Sequence, residues 1–219
     1  MKSGYFITFE GGEGVGKSTQ ISQLDSVLRS KGIKTFLTRE PGGSIGAEKI
    51  RELIVTGRVD RWAPLSELLM LYAARVDHIT KSIKPALEQG KWVLCDRFFD
   101  STFVYQGYGH SLSQRVISEL HEIAVGDFKP DLTLVLDINI EEGLRRTSSR
   151  NSKKINKNLA KEDRYERMDH PFHNRIRKGF LEIAKKNSNR AVVVDASGNK
   201  KTVFNSIVRV LEARLGCKI

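Results

Sequence analysis

Long apolar runs are missing from this sequence. Its longest uncharged hydrophobic stretches are strand-sized, short of the roughly 20 residues that cross a bilayer as a helix, so no membrane span is expected. Cysteine is scarce: Cys95 and Cys217 are two among 219 residues. Their separation fits neither a disulfide framework nor a zinc site, and Cys95, inside an apolar run, reads as a small core residue. His170 and His173 can share a helix face, but no carboxylate or thiolate joins them in a ligand pattern. Repeats are absent, as are Ser–His and paired-carboxylate arrangements for nucleophilic or acid–base catalysis. Lys2 before a short apolar stretch makes a poor signal peptide, because cleavage there would destroy the glycine-rich loop that follows. A cytoplasmic protein is expected.

Acid is the other deficit. Lys and Arg number 37 against 26 Asp and Glu, a net charge of +11. Much of the excess is local: Arg145, Arg146, Arg150, Lys153, Lys154, Lys157 and Lys161 follow one another with no acid between residues 145 and 161. A nucleic-acid surface would look like this, and so would a basic flap over anionic small molecules. No nucleic-acid-binding motif is present, so small-molecule partners are expected and nucleic acid is not. With 39% hydrophobic and 29% charged residues, the chain has the composition of one globular domain, 1–219, with the flap inside it.

What is present centres on residues 4–19, GYFITFEGGEGVGKST. Gly11, four residues, then Gly16-Lys17-Ser18 satisfies the phosphate-loop pattern. Tyr5–Phe9 is strand-like ahead of it, and Ile21, Leu24, Val27 and Leu28 repeat at helical intervals behind it. Glycines at 11, 12, 14 and 16 leave backbone N–H groups free to surround a phosphate. Lys17 adds a charge, and the Ser18 hydroxyl is a candidate Mg²⁺ ligand. Gly11, Gly12, Glu13, Gly14, Val15, Gly16, Lys17, Ser18 and Thr19 are thus the candidate triphosphate ligands.

Along the rest of the chain, strands are expected over 33–38, 91–97, 131–137 and 190–195. Helices are expected over 47–55, from Ser66, over 112–125, from Glu141, up to about Lys186 and over 202–215. Leu68, Leu69, Leu71, Tyr72, Ala73 and Val76 are expected to line the helix from Ser66, and Pro85 to break or kink the chain. Five strands alternating with helices give a three-layer α/β fold with a parallel sheet. Asp96 and Arg97 end one strand where ligands bind in such sheets. There Asp96 can reach Mg²⁺ through water and Arg97 can fork onto a phosphate. Residues 98–109, aromatic and amide-rich, suit either base binding or a helix start packed on the core.

The ordered motifs resemble bacterial thymidylate kinases over nearly the whole chain. They are FEGGEGVGKST, TREPGG (38–43), YAAR (72–75), DR (96–97), ST (101–102), YQG (105–107), GDFKPDLTLVLD (126–137) and DRYE (163–166). The resemblance implies a P-loop NTPase-type fold with a mobile basic lid at about 145–167. It also implies a homodimer and transfer of the γ-phosphoryl of ATP to dTMP with Mg²⁺. Glu13 would face the deoxyribose 3′-hydroxyl, Arg75 would read the thymine edge and Arg97 would hold the dTMP phosphate. Ser101, Tyr105 and Gln106 would line the nucleoside pocket, and Arg39 and Pro41 of TREPGG would join the dTMP site. The loop has Gly14-Val15 and no arginine, so the lid would supply a catalytic one, Arg150 ahead of Arg164. Two departures stand out. Leu71 occupies the place of an aromatic that stacks the base, and SKKINKNLAK (152–161) makes the lid longer and richer in lysine.

Overall fold

The computed structural model describes residues 4–153 and 164–219, with side chains described to residue 147 in the first segment. The lysine-rich stretch 154–161 lies outside the described residues, and so does the Arg150 side chain. The chain begins with β1 (Phe6–Glu10), α1 (Lys17–Ser30), β2 (Thr35–Arg39), α2 (Ile45–Val55) and α3 (Pro64–His78). A π-helical turn, Ile79–Ile83, leads into α4 (Lys84–Glu88) and β3 (Trp92–Asp96). Next come α5 (Phe99–Thr102), a second π-helical turn (Phe103–Gly109) and α6 (Gln114–Ala124). The chain finishes with β4 (Leu132–Asp137), α7 (Ile140–Lys153), α8 (His170–Lys186), β5 (Ala191–Asp195) and α9 (Lys200–Leu215).

The strands form one five-stranded parallel sheet in the order β2-β3-β1-β4-β5. Every residue of β1 is buried, as its aromatic and β-branched composition requires in a central strand covered on both faces. On one face Ile7, Phe9 and Leu134 pack with Leu24 and Leu28 of α1 and Phe204, Ile207 and Leu211 of α9. On the other, Phe6, Val93 and Cys95 pack with Ile79, Ile83 and Phe98, and Val135 and Ala191 with Phe172, Ile176 and Phe180 of α8. The chain leaves β1 for β2 on one side and returns later as β4 on the other. The carboxyl end of β1 is therefore a topological switch point, where an open α/β sheet offers a crevice.

Three local expectations are corrected. The long helix starts at Pro64 rather than Ser66, since proline's fixed φ and missing N–H suit a first helical turn. Its inward face is also different: Leu68, Leu71 and Tyr72 are buried, but so are Glu67, Arg75 and His78, whereas Leu69, Ala73 and Val76 are exposed. Polar groups enter the interior here because partners wait for them. Pro85 does not break the chain; the π-helical turn just before it widens the helix, which then continues as α4.

Candidate active site

The loop between β1 and α1 is shaped by close approaches. Gly11 has φ +127°, and a Cβ there would stand 2.3 Å from the Leu136 carbonyl oxygen. Gly14 has φ +72°, and its Cβ would stand 1.9 Å from the Gly143 carbonyl oxygen in the first turn of α7. Only glycine meets both demands. Gly16, at φ +95°, caps α1 and turns the chain so that the helix amino terminus faces the crevice. Val15 points into the core and is 4% exposed, so only its backbone can serve a phosphate, while Ser18 and Thr19 are exposed.

Two cations meet over this loop. Lys17 Nζ donates to the carbonyl oxygens of Gly11 at 3.2 Å and Gly12 at 2.9 Å. Arg97 Nη1 donates to the same Gly11 oxygen at 2.9 Å and to Ser101 Oγ at 3.2 Å, and Arg97 Nη2 to Glu13 Oε1 at 2.8 Å. Arg97 takes φ +69°, a left-handed conformation uncommon for a side-chain-bearing residue, which turns it off the end of β3 toward the loop. Its guanidinium lies over the Tyr105 ring, whose hydroxyl donates to Glu13 at 2.9 Å. Burial works to raise the Glu13 carboxyl, but Arg97 and Lys17 outweigh it and hold it at about 2. Burial, then the Arg97 charge, brings Lys17 down to about 8.

Glu10, at the end of β1, lies within FEGGEGVGKST but has no role in the phosphate-loop pattern. Its carboxylate accepts from Phe98 N at 2.7 Å, Ser101 N at 3.3 Å and Ser101 Oγ at 2.6 Å, so it braces the turn that presents Arg97 and Ser101. Burial first, and the Asp100 charge second, push it up to about 7. An acid closing an otherwise apolar strand was the available signal. Beside it, Ser18 Oγ donates to Asp96 Oδ2 at 2.8 Å, which brings the two expected Mg²⁺ ligands together. Among the described residues no group of three or more His, Cys, Asp or Glu could hold a metal ion. One hydroxyl and one carboxylate fit Mg²⁺, which keeps waters and substrate phosphates as its remaining ligands.

On the far side of Arg97, α3 faces the 99–109 segment. Arg75, 2% exposed, donates from Nε to Glu40 Oε2 at 2.7 Å and from Nη2 to Thr102 Oγ1 at 2.8 Å. It lies over the rings of Tyr72 and Phe98. Glu40 also meets His78 Nδ1 at 3.0 Å, and His78 Nε2 meets Thr38 Oγ1 at 2.6 Å, so TREPGG anchors Arg75 through its acid. Arg39 itself pairs with Glu48 at 3.0 Å, and the Pro41 carbonyl accepts from Arg51 at 2.7 Å. Leu71 packs in a cluster with Ile54 and Val55. Gln106 Nε2 donates to Glu67 Oε1 at 2.8 Å.

Arg164, the second lid arginine expected, lies in the interior. It is 2% exposed, its guanidinium taken up by the carbonyls of Ile54, Arg58 and Val59 and by Glu67. With its donors occupied by these buried acceptors, Arg164 tethers residue 164 to the segment 54–67. Arg145 and Arg146, the start of the basic stretch, both pair with Glu142, at 2.5 and 2.8 Å.

A phosphate loop at a switch point, with a second arginine-bearing strand end beside it, defines a P-loop phosphotransferase. The profile of the thymidylate kinase family matches residues 9–207. The chain is 47% identical to a thymidylate kinase of Caulobacter vibrioides over 99% of this chain and 100% of that protein. It is 44% identical to that of Bartonella quintana over 95% of each. The crystal structure of thymidylate kinase from Ehrlichia chaffeensis superposes with a TM-score of 0.73 at 34% identity, covering 95% of this chain and 98% of that one. The chain belongs to the thymidylate kinase family.

Proposed function

We propose that this protein transfers the γ-phosphoryl group of ATP to dTMP, giving ADP and dTDP. One observation carries the reading: Lys17 Nζ and Arg97 Nη1 converge on the Gly11 carbonyl oxygen, at 3.2 and 2.9 Å. Lys17 belongs to the loop for the donor triphosphate and Arg97 to the strand end for the acceptor phosphate. Two anions that repel are thereby drawn to adjacent positions, and aligning them is most of the work of phosphoryl transfer. The attacking phosphate oxygen is ionised near neutral pH, its second pKa being about 6, so no side-chain base is needed.

Gly11–Thr19 cradles the triphosphate through backbone N–H groups and Lys17. Ser18, and Asp96 through water, would hold Mg²⁺, which when bound neutralises charge on the transferred group. Glu13 stays ionised through the physiological range, an acceptor for the 3′-hydroxyl. Tyr105 and Ser101 line the nucleoside side with Arg39, Pro41 and Leu71. Arg75 reads the base edge, supported by its Nη1, which is buried and has no partner among the described residues. Arg150 supplies the lid charge. Leu65, Leu69, Ala73 and Val76 form an exposed apolar stripe on α3, which supports a homodimer. The free cysteines agree with a cytoplasmic location.

The test is a coupled assay of ADP release with Mg²⁺-ATP and, separately, dTMP, dUMP, dCMP, dGMP or thymidine. A rate with dTMP well above the rest is expected; preference for thymidine or another monophosphate would overturn the acceptor assignment.

A further inference from the structure

Glu67 lies in the first turn of α3, is 1% exposed, and has no part in the reaction as described. Three donors meet it. Gln106 Nε2 and Tyr165 OH reach Oε1 at 2.8 and 2.7 Å, and Arg164 Nη1 reaches Oε2. His110 Nε2 stands further off, at 3.8 Å. A carboxylate accepts hydrogen bonds and donates none. The Gln106 amide must therefore turn its NH₂ to Glu67, since the flipped amide would set two oxygens against each other. Its other end, Oε1, is buried and has no partner among the described residues.

Arg75, two turns along α3, is in the complementary condition. Nε and Nη2 are bonded to Glu40 and Thr102, and Nη1 is buried without a partner among the described residues. Residues 67, 71 and 75 recur on one helix face, and Thr102 and Gln106 lie one turn apart opposite it. An orphaned acceptor and an orphaned donor thus sit along the same seam, with Leu71 between Glu67 and Arg75. Buried polar groups without partners are rare enough to need an explanation. A pyrimidine edge carrying a carbonyl beside an N–H satisfies both.

We propose that Glu67 is a specificity-determining positioning residue. By taking the Gln106 NH₂, it holds Gln106 Oε1 as an acceptor. With Arg75 Nη1, the site then accepts the keto edge of thymine (O4 and N3–H) and rejects the edge of cytosine, which has an NH₂ and a bare N3. The proposal rests on the reading that the dTMP base lies against Gln106 and Arg75.

The experiment compares kcat/KM for dTMP, dUMP and dCMP. Glu67→Gln puts a group at position 67 that also donates, freeing the Gln106 amide to turn. The dTMP-over-dCMP preference is expected to fall about tenfold or more, while dTMP over dUMP, which share the edge, stays unchanged. Glu67→Asp, still a pure acceptor, keeps the preference. If Glu67→Gln does not fold, Glu67→Gln/Arg164→Met, which strands no buried charge, carries the same measurement. An unchanged dTMP-over-dCMP ratio in the folded variant overturns the proposal. Gln106→Leu separates the two levels. If KM for dTMP does not rise, the base lies elsewhere and the site reading fails with it. If KM rises while Glu67→Gln leaves the preference intact, only the role of Glu67 falls.

Discussion

Replacing Gly14 with alanine adds one methyl group and should disable the enzyme without unfolding it. The Cβ would stand 1.9 Å from the Gly143 carbonyl oxygen, backbone against backbone, so no flexible side chain can yield. Ordinary contact begins at 3.4 Å, so the loop must back away from α7 by about 1.5 Å, and misplacement of that order at reacting groups costs roughly 10²-fold. The left-handed φ adds about 1–2 kcal/mol of strain. In a domain of this size that lowers Tm by only about 2–8 °C. Gly216, with φ +66° at the end of α9 and no atom of the described residues within 4 Å of its Cβ, isolates the strain alone. Gly14→Ala should lose about 10²-fold in kcat/KM with a modest drop in Tm, whereas Gly216→Ala should show the Tm drop and keep full activity. Steady-state kinetics with thermal denaturation reads both. Gly14→Ala retaining activity within about threefold of Gly216→Ala would refute the link between the loop and α7.

Arg150→Ala and Arg164→Ala should fail differently. The first should lower kcat by about 10³-fold or more, the scale of a missing arginine finger, with Tm unchanged. The second, breaking a buried ion pair worth about 3–5 kcal/mol to remove, should lower Tm by about 10 °C; a Tm unmoved in Arg164→Ala would contradict its buried role. For Lys17, folding lowers the pKa from 10.5 to about 8, so between those values the free protein holds fewer protons there than an ordinary lysine. A triphosphate draws the proton back, and its affinity should fall as pH rises through 8. Calorimetry in buffers of different ionisation enthalpy should find proton uptake near zero at about pH 7 and growing by about pH 9. Arg190 makes a two-pronged pair with buried Asp100, at 2.7 and 2.8 Å. Arg190→Leu strands that carboxylate and should cost several kcal/mol of stability, about 3–5, seen as a shifted urea midpoint.

The sequence by itself determined the sheet, the loop and the family. These rest on local rules: β1 must be apolar on both faces, the loop glycines must leave N–H groups open, and proline and glycine punctuate the helices. The position of Asp96 and Arg97, at a strand end beside the loop, was legible because a short apolar run closes there on two charged residues. The tertiary structure alone decided the polar interior. Glu67, Arg75 and His78 share a helix face with Leu68, Leu71 and Tyr72, and their polarity alone would argue for exposure. They are buried because Gln106, Glu40 and Thr38, each distant in sequence, supply hydrogen bonds there. Arg164 likewise reads as a lid charge from its neighbours in sequence, but becomes a tether once Glu67 and three carbonyls surround it. Burial of a charge depends on partners from across the fold, and spacing along one segment carries no record of them.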